Sequence, residues 1–240
     1  MAWAARPAPG RTGTAVGACR TGPGPGPHVN PDGVTEPRPA EAGIDLYWLP
    51  LGAGGHSVRW NGRVYEAVVS RLERRAAAPL FHSALVVRLP PDRYVIEMTP
   101  AWITSGADRG VVAEGPVGSR WVGRLRLFRY EVRCWPDGAI GDVGEAVDSP
   151  HQLSADPRRC RRLLALLPCV PAPVWGRDEL HTGEMWNSNS VTSWALVRAG
   201  LDLQGVCPPA GGRAPGWNAG LVVGRRESMV AGAEVAEQQQ

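Results

Sequence analysis

The chain has 240 residues, of which 43% are hydrophobic, so it is long and apolar enough to bury the core of one domain. Its net charge of +3 is too small to indicate a nucleic-acid partner. All 26 basic residues are arginine, and together with 30 Gly and 23 Pro this is typical of the coding bias of a GC-rich genome. We therefore interpret the arginine clusters at 71–75 and 158–162 as solvated helix faces rather than phosphate-binding patches.

The five cysteines form neither a metal-binding nor a disulfide pattern. Their number is odd, no pair has the C-x-x-C spacing, and no histidine pattern accompanies them. We expect no zinc site, no disulfide framework, no cofactor and a reducing, cytoplasmic environment. No apolar run reaches the ~18 residues of a membrane helix, and the N-terminus lacks the apolar block of a signal peptide. The cysteines are Cys19, Cys134, Cys160, Cys169 and Cys207.

Residues 1–40 are of low complexity, with the run GPGPGPHVNPDG at their centre. They carry too little apolar surface to offset the entropy of ordering, so we predict that they are disordered. The rest of the sequence predicts one globular domain over 41–226 and a flexible tail over 227–240.

Strands are predicted in the first half of the domain, beginning with the run 44–49. The runs that flank Asn61-Gly62 predict a hairpin, because Asn-Gly between alternating segments is a strong hairpin signal. The runs 81–87 and 94–98, joined by a proline-rich turn, predict a second hairpin. Residues 123–135 alternate between apolar and polar and predict one further strand.

Helices are predicted in the second half. Ser154 or Asp156 caps the first, which runs through a leucine-rich segment to Pro168. The second begins within 187–190, where all four residues favour N-caps, and ends at Gly200 in a left-handed C-cap.

The segment after the second helix is rich in Gly and Pro, and over 208–217 it predicts an irregular loop. Arg213 and Trp217 in this loop either line a site or belong to a plain surface crossing. Trp175, Trp186 and Trp217 either line an apolar pocket or fill the core. The run 221–223 predicts a last edge strand.

Three polar residues are candidates for chemistry. His82 and Glu97 lie inside otherwise apolar strands, where a titratable side chain needs a partner. Ser188 or Ser190 lies at the positive end of a helix, where free N–H groups favour a developing oxyanion. The alternative interpretations are a core histidine with a local partner, an edge-strand glutamate and an ordinary helix cap.

The order of these residues resembles that of circularly permuted papain-like hydrolases, which include the lecithin retinol acyltransferase group, the permuted NlpC-type amidases and the desumoylating isopeptidases. FHSALVV at 81–87 is similar to their histidine strand, and YVIEMTP at 94–100 is similar to the strand of its polar partner. NSNSV at 187–191 resembles their Asn-Cys helix start. The resemblance implies an α+β fold, a small antiparallel sheet or partial barrel packed against two or three helices.

The resemblance also implies site residues. Ser188 takes the position of the family's cysteine and would attack an amide, ester or thioester. His82 would act as general base and then acid, and Glu97 would orient His82. A hydroxyl needs a better aligned base than a thiol does. Hairpin geometry with the turn at Pro91-Asp92 pairs Glu97 near Val86 rather than beside His82.

Two functions follow as hypotheses: a hydrolase or acyl-transfer enzyme, or a non-catalytic binding module on a degenerate papain-like fold. A purely structural domain is the third hypothesis. His56 with Glu66 on the first hairpin is a competing pair that we rank lower, because arginines make that hairpin look exposed. We expect a small-molecule, peptide or acyl ligand, no nucleic acid and no membrane span. The predicted ligand-contacting residues are Trp186, Asn187, Asn189, Ser190, Arg213 and Trp217.

Overall fold

A computed structural model describes residues 41–51, 78–101 and 110–238, and within these ranges the chain forms a six-stranded antiparallel sheet and three α-helices. The predicted α+β class is therefore confirmed. The low-complexity segment 1–40 and the predicted hairpin around Asn61-Gly62, with its His56–Glu66 pair, lie outside the described residues.

The sheet is built from hairpins and one return of the chain to its first strand. The strand order is β4-β5-β3-β2-β1-β6, and every neighbouring pair is antiparallel. The predicted second hairpin is present as β2 and β3, with Leu89 opposite Asp92 and a turn at Pro90-Pro91. The strands are β1 (Gly43–Pro50), β2 (Phe81–Leu89), β3 (Asp92–Pro100), β4 (Val111–Pro116), β5 (Arg129–Pro136) and β6 (Val147–Ser154).

The helices are α1 (Pro157–Leu166), α2 (Ser188–Arg198) and α3 (Trp217–Gln238). Asp156 caps α1, because its carboxylate accepts from the Arg158 N–H at 2.8 Å, and Pro157 occupies the first turn as predicted. Gly200 follows α2 with a φ of +85°, which confirms the predicted left-handed cap.

The prediction of a strand over 123–135 is wrong in its first half. Two short 3₁₀ helices, Val122–Arg124 and Arg126–Phe128, precede β5. Pairing on both sides of β5 stops at its first residues, with Tyr130 opposite Pro100 and Arg129 opposite Pro116. Because no partner strand extends further among the described residues, the alternating pattern before residue 129 has no ladder to join there.

One prediction at the C-terminus is also wrong. The predicted edge strand 221–223 lies inside α3, since a short apolar run does not by itself distinguish a strand from a buried helical turn. The predicted tail from residue 227 also begins within α3. Glu227 accepts a hydrogen bond from the Trp194 indole Nε1 at 2.9 Å, so the fold uses at least the start of this segment.

The two faces of the sheet carry different layers. One, here called the helix face, packs Ile44, Leu46, Trp48 and Leu85 against helix residues such as Trp194. The other, here called the opposite face, carries a second, smaller cluster. Ile140, from the loop 137–146, packs there against side chains of β1, β2 and β3. Those side chains are Leu49, Ala84, Val86 and Val95.

Candidate functional site

The start of α2 is a closed hydrogen-bonded cap. The Asn187 side chain accepts from the N–H groups of Asn189, at 2.9 Å, and Ser190, at 3.4 Å. In return, the Ser190 hydroxyl accepts from the Asn187 N–H at 3.1 Å. This capping box uses two of the N–H groups that were expected to stabilise an oxyanion.

Asn189 connects the helix start to the strand of the predicted base. Its amide Nδ2 donates to the Phe81 carbonyl at 3.0 Å and to the Pro215 carbonyl at 2.9 Å. Its Oδ1 accepts from the Ser83 hydroxyl at 2.9 Å. The first turn of α2 is therefore fixed to the two residues that flank His82.

The same turn also holds the segment that leads into α3. Ser190 Oγ donates to the Gly216 carbonyl at 2.7 Å, and Ser193 Oγ donates to the Trp217 carbonyl at 2.7 Å. Gly216 has a φ of +82°, and a Cβ there would meet the Asn187 side chain, so only glycine fits. The polar residues of α2 thus hold neighbouring main-chain segments against the helix through hydrogen bonds.

These contacts describe most of the predicted ligand-contacting residues. Asn187, Asn189 and Ser190 are buried and bonded to the main chain, and Trp217 is buried with its ring 4.9 Å from that of Trp48. Trp186 is buried as well, and its Nε1 has no hydrogen-bond partner. The main chain of Arg213 is hydrogen bonded to Pro79 and Phe81. Each has a structural role, and the ligand contacts predicted for them stay predictions.

His82 points away from α2. Successive side chains of a strand alternate between faces, and the pairing of β1 with β2 is regular from Gly43 to Pro50. Ser83 lies on the helix face, where it donates to Asn189. His82 therefore lies on the opposite face, together with Ala84 and Val86.

Glu97 lies on the opposite face too. The ladder of β2 and β3 ends at Leu85 and Ile96, and Ile96 belongs to the core of the helix face. Glu97 is the next residue of β3, and it lies opposite Arg133 of β5. The sheet thus presents His82 and Glu97 on one side, while α2, with Ser188, packs against the other.

The opposite face carries the buried charges of the sheet. Arg133 donates to the Glu131 carboxylate through Nε at 2.9 Å and Nη2 at 2.7 Å, and both side chains are buried. Asp45 is buried and forms an ion pair with Arg88. A charge removed from water needs such a partner, so both pairs are required by burial.

Burial shifts the titration of His82 and Glu97. It lowers the pKa of His82 to about 4, although the Asp142 carboxylate acts in the opposite direction. It also raises the pKa of Glu97, an effect that Arg133 opposes and Asp142 reinforces. The Asp142 carboxylate, in the loop 137–146, therefore acts to raise the pKa of both groups. His82 is uncharged at neutral pH and too weakly basic to be an efficient general base.

The predicted catalytic set is not assembled. Among the described residues, no hydrogen bond joins Ser188, His82 and Glu97 to one another, and no hydrogen bond of the Ser188 hydroxyl is present. The carboxylate that opposes the effect of burial on the pKa of His82 is Asp142, and the orienting role of Glu97 stays a prediction.

Sequence reasoning did not single out Asp142, Arg133 or Ser83. Asp142 lies in a Gly-rich loop, where an aspartate is an ordinary turn residue. Arg133 and Glu131 were visible only as alternating residues of a strand. Ser83 carried one usable signal, because alternation sets it apart from His82, and only one of the two can face α2.

Other chemistry is limited in the part of the chain that the structure describes. No group of three or more His, Cys, Asp or Glu side chains there is arranged to hold a metal ion. None of the helices in the described ranges has both the length and the apolar character to cross a membrane. Cys134, Cys160 and Cys169 are free thiols, and Cys207 is disulfide-bonded, whereas the cysteine spacing predicted no disulfide framework.

Comparison with protein-family models, with curated proteins and with solved structures gives no match in any of the three. The chain's own geometry therefore has to carry any functional argument.

Proposed function

We propose that this chain is a non-catalytic ligand-binding domain on a degenerate papain-like layout. The observation that supports this choice is the separation of His82 from Ser188 by the sheet. Nucleophilic catalysis by a hydroxyl requires the base within hydrogen-bond reach, and the hydroxyl is otherwise a weak nucleophile. A binding domain has no such requirement.

The ligand site of the proposal is the opposite face around His82, Glu97 and Asp142. The side chains of His82 and Glu97 make no hydrogen bond among the described residues, and both are half-buried. Polar groups of this kind are normally paired, so they are available for an outside partner. A neutral imidazole and two carboxyl groups match a ligand that offers N–H donors, such as a primary amine or an amide.

The binding test uses NMR of the His82 imidazole. We expect saturable shifts of its ring signals on titration with ethylamine and with a glycyl peptide amide, and none with acetate. Glu97→Gln should weaken the response to ethylamine, whereas Ser188→Ala should leave it unchanged. Absence of a saturable response to every N–H donor would reject the proposed ligand class.

The second candidate is a serine hydrolase or acyl-transfer enzyme that uses Ser188. It is favoured by the position of Ser188 as the first residue of α2, half-buried and beside Asn189, which reaches the strand of His82. Labelling with a fluorophosphonate probe separates the two functions. We expect no labelling of the wild-type protein. Labelling that Ser188→Ala abolishes would overturn the non-catalytic proposal.

A further inference from the structure

The segment that replaces the first half of the strand predicted over 123–135 exposes large apolar side chains. Trp121 is 77% exposed, Leu125 61% and Leu127 60%, and Phe128 is also exposed. All four lie within residues 119–128, here called the 119–128 loop. Single exposed apolar residues are common, but a set this dense marks an interaction surface.

Trp175 extends the same surface. Its N–H donates to the Pro116 carbonyl at 2.8 Å, and its carbonyl accepts from the Gly118 N–H at 3.4 Å. It therefore lies directly beside the start of the 119–128 loop, and its side chain is exposed. Trp121, at 77% exposed, is unusual, since indole is normally at least half covered, and Trp175 adds a second indole that is 41% exposed.

The charge of the loop is positive. Residues 115–130 contain no acidic side chain, and Arg120, Arg124 and Arg126 all lie in the loop. Arg120 is paired with Glu179, at 3.0 Å. No ion pair of Arg124 or Arg126 is present among the described residues, and the Arg124 guanidinium lies 4.9 Å from the centre of the Trp121 ring. Two cations therefore remain uncompensated beside the apolar side chains.

We propose that the 119–128 loop, with Trp175, docks onto a membrane surface that contains anionic lipid. Tryptophan favours the boundary between lipid head groups and chains, and leucine and phenylalanine gain from entering it. Arginine extends its charge to the phosphates while its stem stays in apolar surroundings. This is attachment to one leaflet, and it is independent of the ligand site proposed above.

The arginines of α1 provide a control for the effect of arginine charge where no large apolar side chain is exposed beside it. Arg158, Arg159, Arg161 and Arg162 are exposed on α1, and the exposed large apolar residues of the described chain lie elsewhere. If charge alone caused attachment, α1 would contribute as much as the 119–128 loop. Met229 and Val230, exposed on α3 one helical turn after Arg225 and Arg226, provide the reference for exposed apolar side chains that include no aromatic residue and no leucine.

The test is co-sedimentation of the full chain with vesicles of phosphatidylcholine, with and without phosphatidylserine. We expect binding to the mixed vesicles and a shift of tryptophan emission to shorter wavelength. The triple change Trp121→Ser, Leu125→Ser, Leu127→Ser should reduce the partition coefficient about 100-fold or more. Arg124→Gln with Arg126→Gln should reduce it about ten-fold.

The controls are Arg158→Gln with Arg161→Gln, and Met229→Ser with Val230→Ser. Both should stay within about two-fold of the wild type, since α1 has no exposed large apolar side chain and α3 exposes no tryptophan, phenylalanine or leucine. Circular dichroism and unfolding curves establish that each variant is folded. Absence of wild-type binding, or equal loss in the α1 control, would overturn the proposal. Self-association that the triple change abolishes, without vesicle binding, would overturn it as well.

Discussion

The two faces of the sheet solve the burial of polar groups in different ways. On the helix face the buried polar side chains are uncharged, and Ser83, Asn189 and Ser193 bond to main-chain carbonyls or to each other. On the opposite face the buried polar groups are charged, as in the Arg133–Glu131 pair. On the helix face, polar side chains hold main-chain segments in place by hydrogen bonds. On the opposite face, titratable side chains lie close together.

The difference between the faces shows that the buried titratable groups of the sheet lie on the opposite face. Burial of an uncharged amide costs little free energy when carbonyl oxygens accept hydrogen bonds from its N–H groups. Helix α2 can therefore pack closely against the sheet through Asn189. Charged groups require partners in the same low-dielectric region, and their mutual effects reach His82 and Glu97. Functional predictions that combine one residue from each face, such as His82 with Ser188, therefore cross the sheet.

The largest effect should come from breaking the buried charge pair. Arg133→Met leaves Glu131 buried without this partner, and we expect a loss of about 3–5 kcal/mol in the free energy of unfolding. Urea denaturation measures it. Glu114→Gln is the control, because Glu114 pairs with Arg129 near the surface, and its loss should stay below about 1 kcal/mol. Similar losses in the two variants would remove the distinction between the pairs.

On the helix face, the sharpest change is Asn189→Ala. It removes two donated bonds and one accepted bond in a buried site, so we expect a loss of about 3 kcal/mol in unfolding free energy. Ser188→Ala is the neighbouring control. Its hydroxyl makes no hydrogen bond among the described residues, so its effect should lie within about 0.5 kcal/mol. A large loss of unfolding free energy for Ser188→Ala would indicate that the Ser188 hydroxyl makes a contact outside the described residues.

The pH dependence of stability tests the opposite face. The unfolded-state His82 binds its proton near pH 6.5 and the folded one near about 4, so the unfolded state carries more protons between these values. The free energy of unfolding should therefore fall as the pH drops from 6.5 to 4. Discounted for partial exposure, the His82 contribution is about 2–3 kcal/mol.

His82→Gln removes this contribution, and subtracting its pH profile from that of the wild type isolates it. The subtraction matters because Glu97, with its raised pKa, favours the folded state at low pH and acts in the opposite direction. Stability curves from guanidinium titration at successive pH values provide the measurement. Parallel profiles for the two proteins would show that His82 keeps an ordinary pKa.

The smallest effect concerns the contact between α2 and α3. A Cβ on Gly220 would meet the Ser190 carbonyl and the Ser193 hydroxyl, so Gly220→Ala should cost about 2 kcal/mol through overpacking. Gly232→Ala is the matched change in the same helix. Nothing lies within 4 Å of its Cβ position, so it should stabilise by up to about 1 kcal/mol. Thermal denaturation compares the two, and equal shifts would contradict close helix packing.

Local patterns predicted much of the fold. The hairpin of β2 and β3, the caps of α1 and α2 and the cap at Gly200 all depend on residues close in sequence, whose preferences act over one turn. The errors came where local preference was ambiguous. Residues 123–128 alternate like a strand but pair with no strand among the described residues, and 221–223 are too few to show a helical period.

The sequence by itself determined that His82 lies in a strand, that Asn187 begins a helix, and that the two segments belong to one α+β domain. Only the tertiary structure decided which side of the sheet each side chain faces and which groups share it. Strand register and helix packing set those neighbours, and they depend on contacts between residues about 100 positions apart, such as Ser83 with Asn189. For that reason the pKa of His82 is set by burial on the opposite face, with Asp142 acting against it, and not by a contact with Ser188.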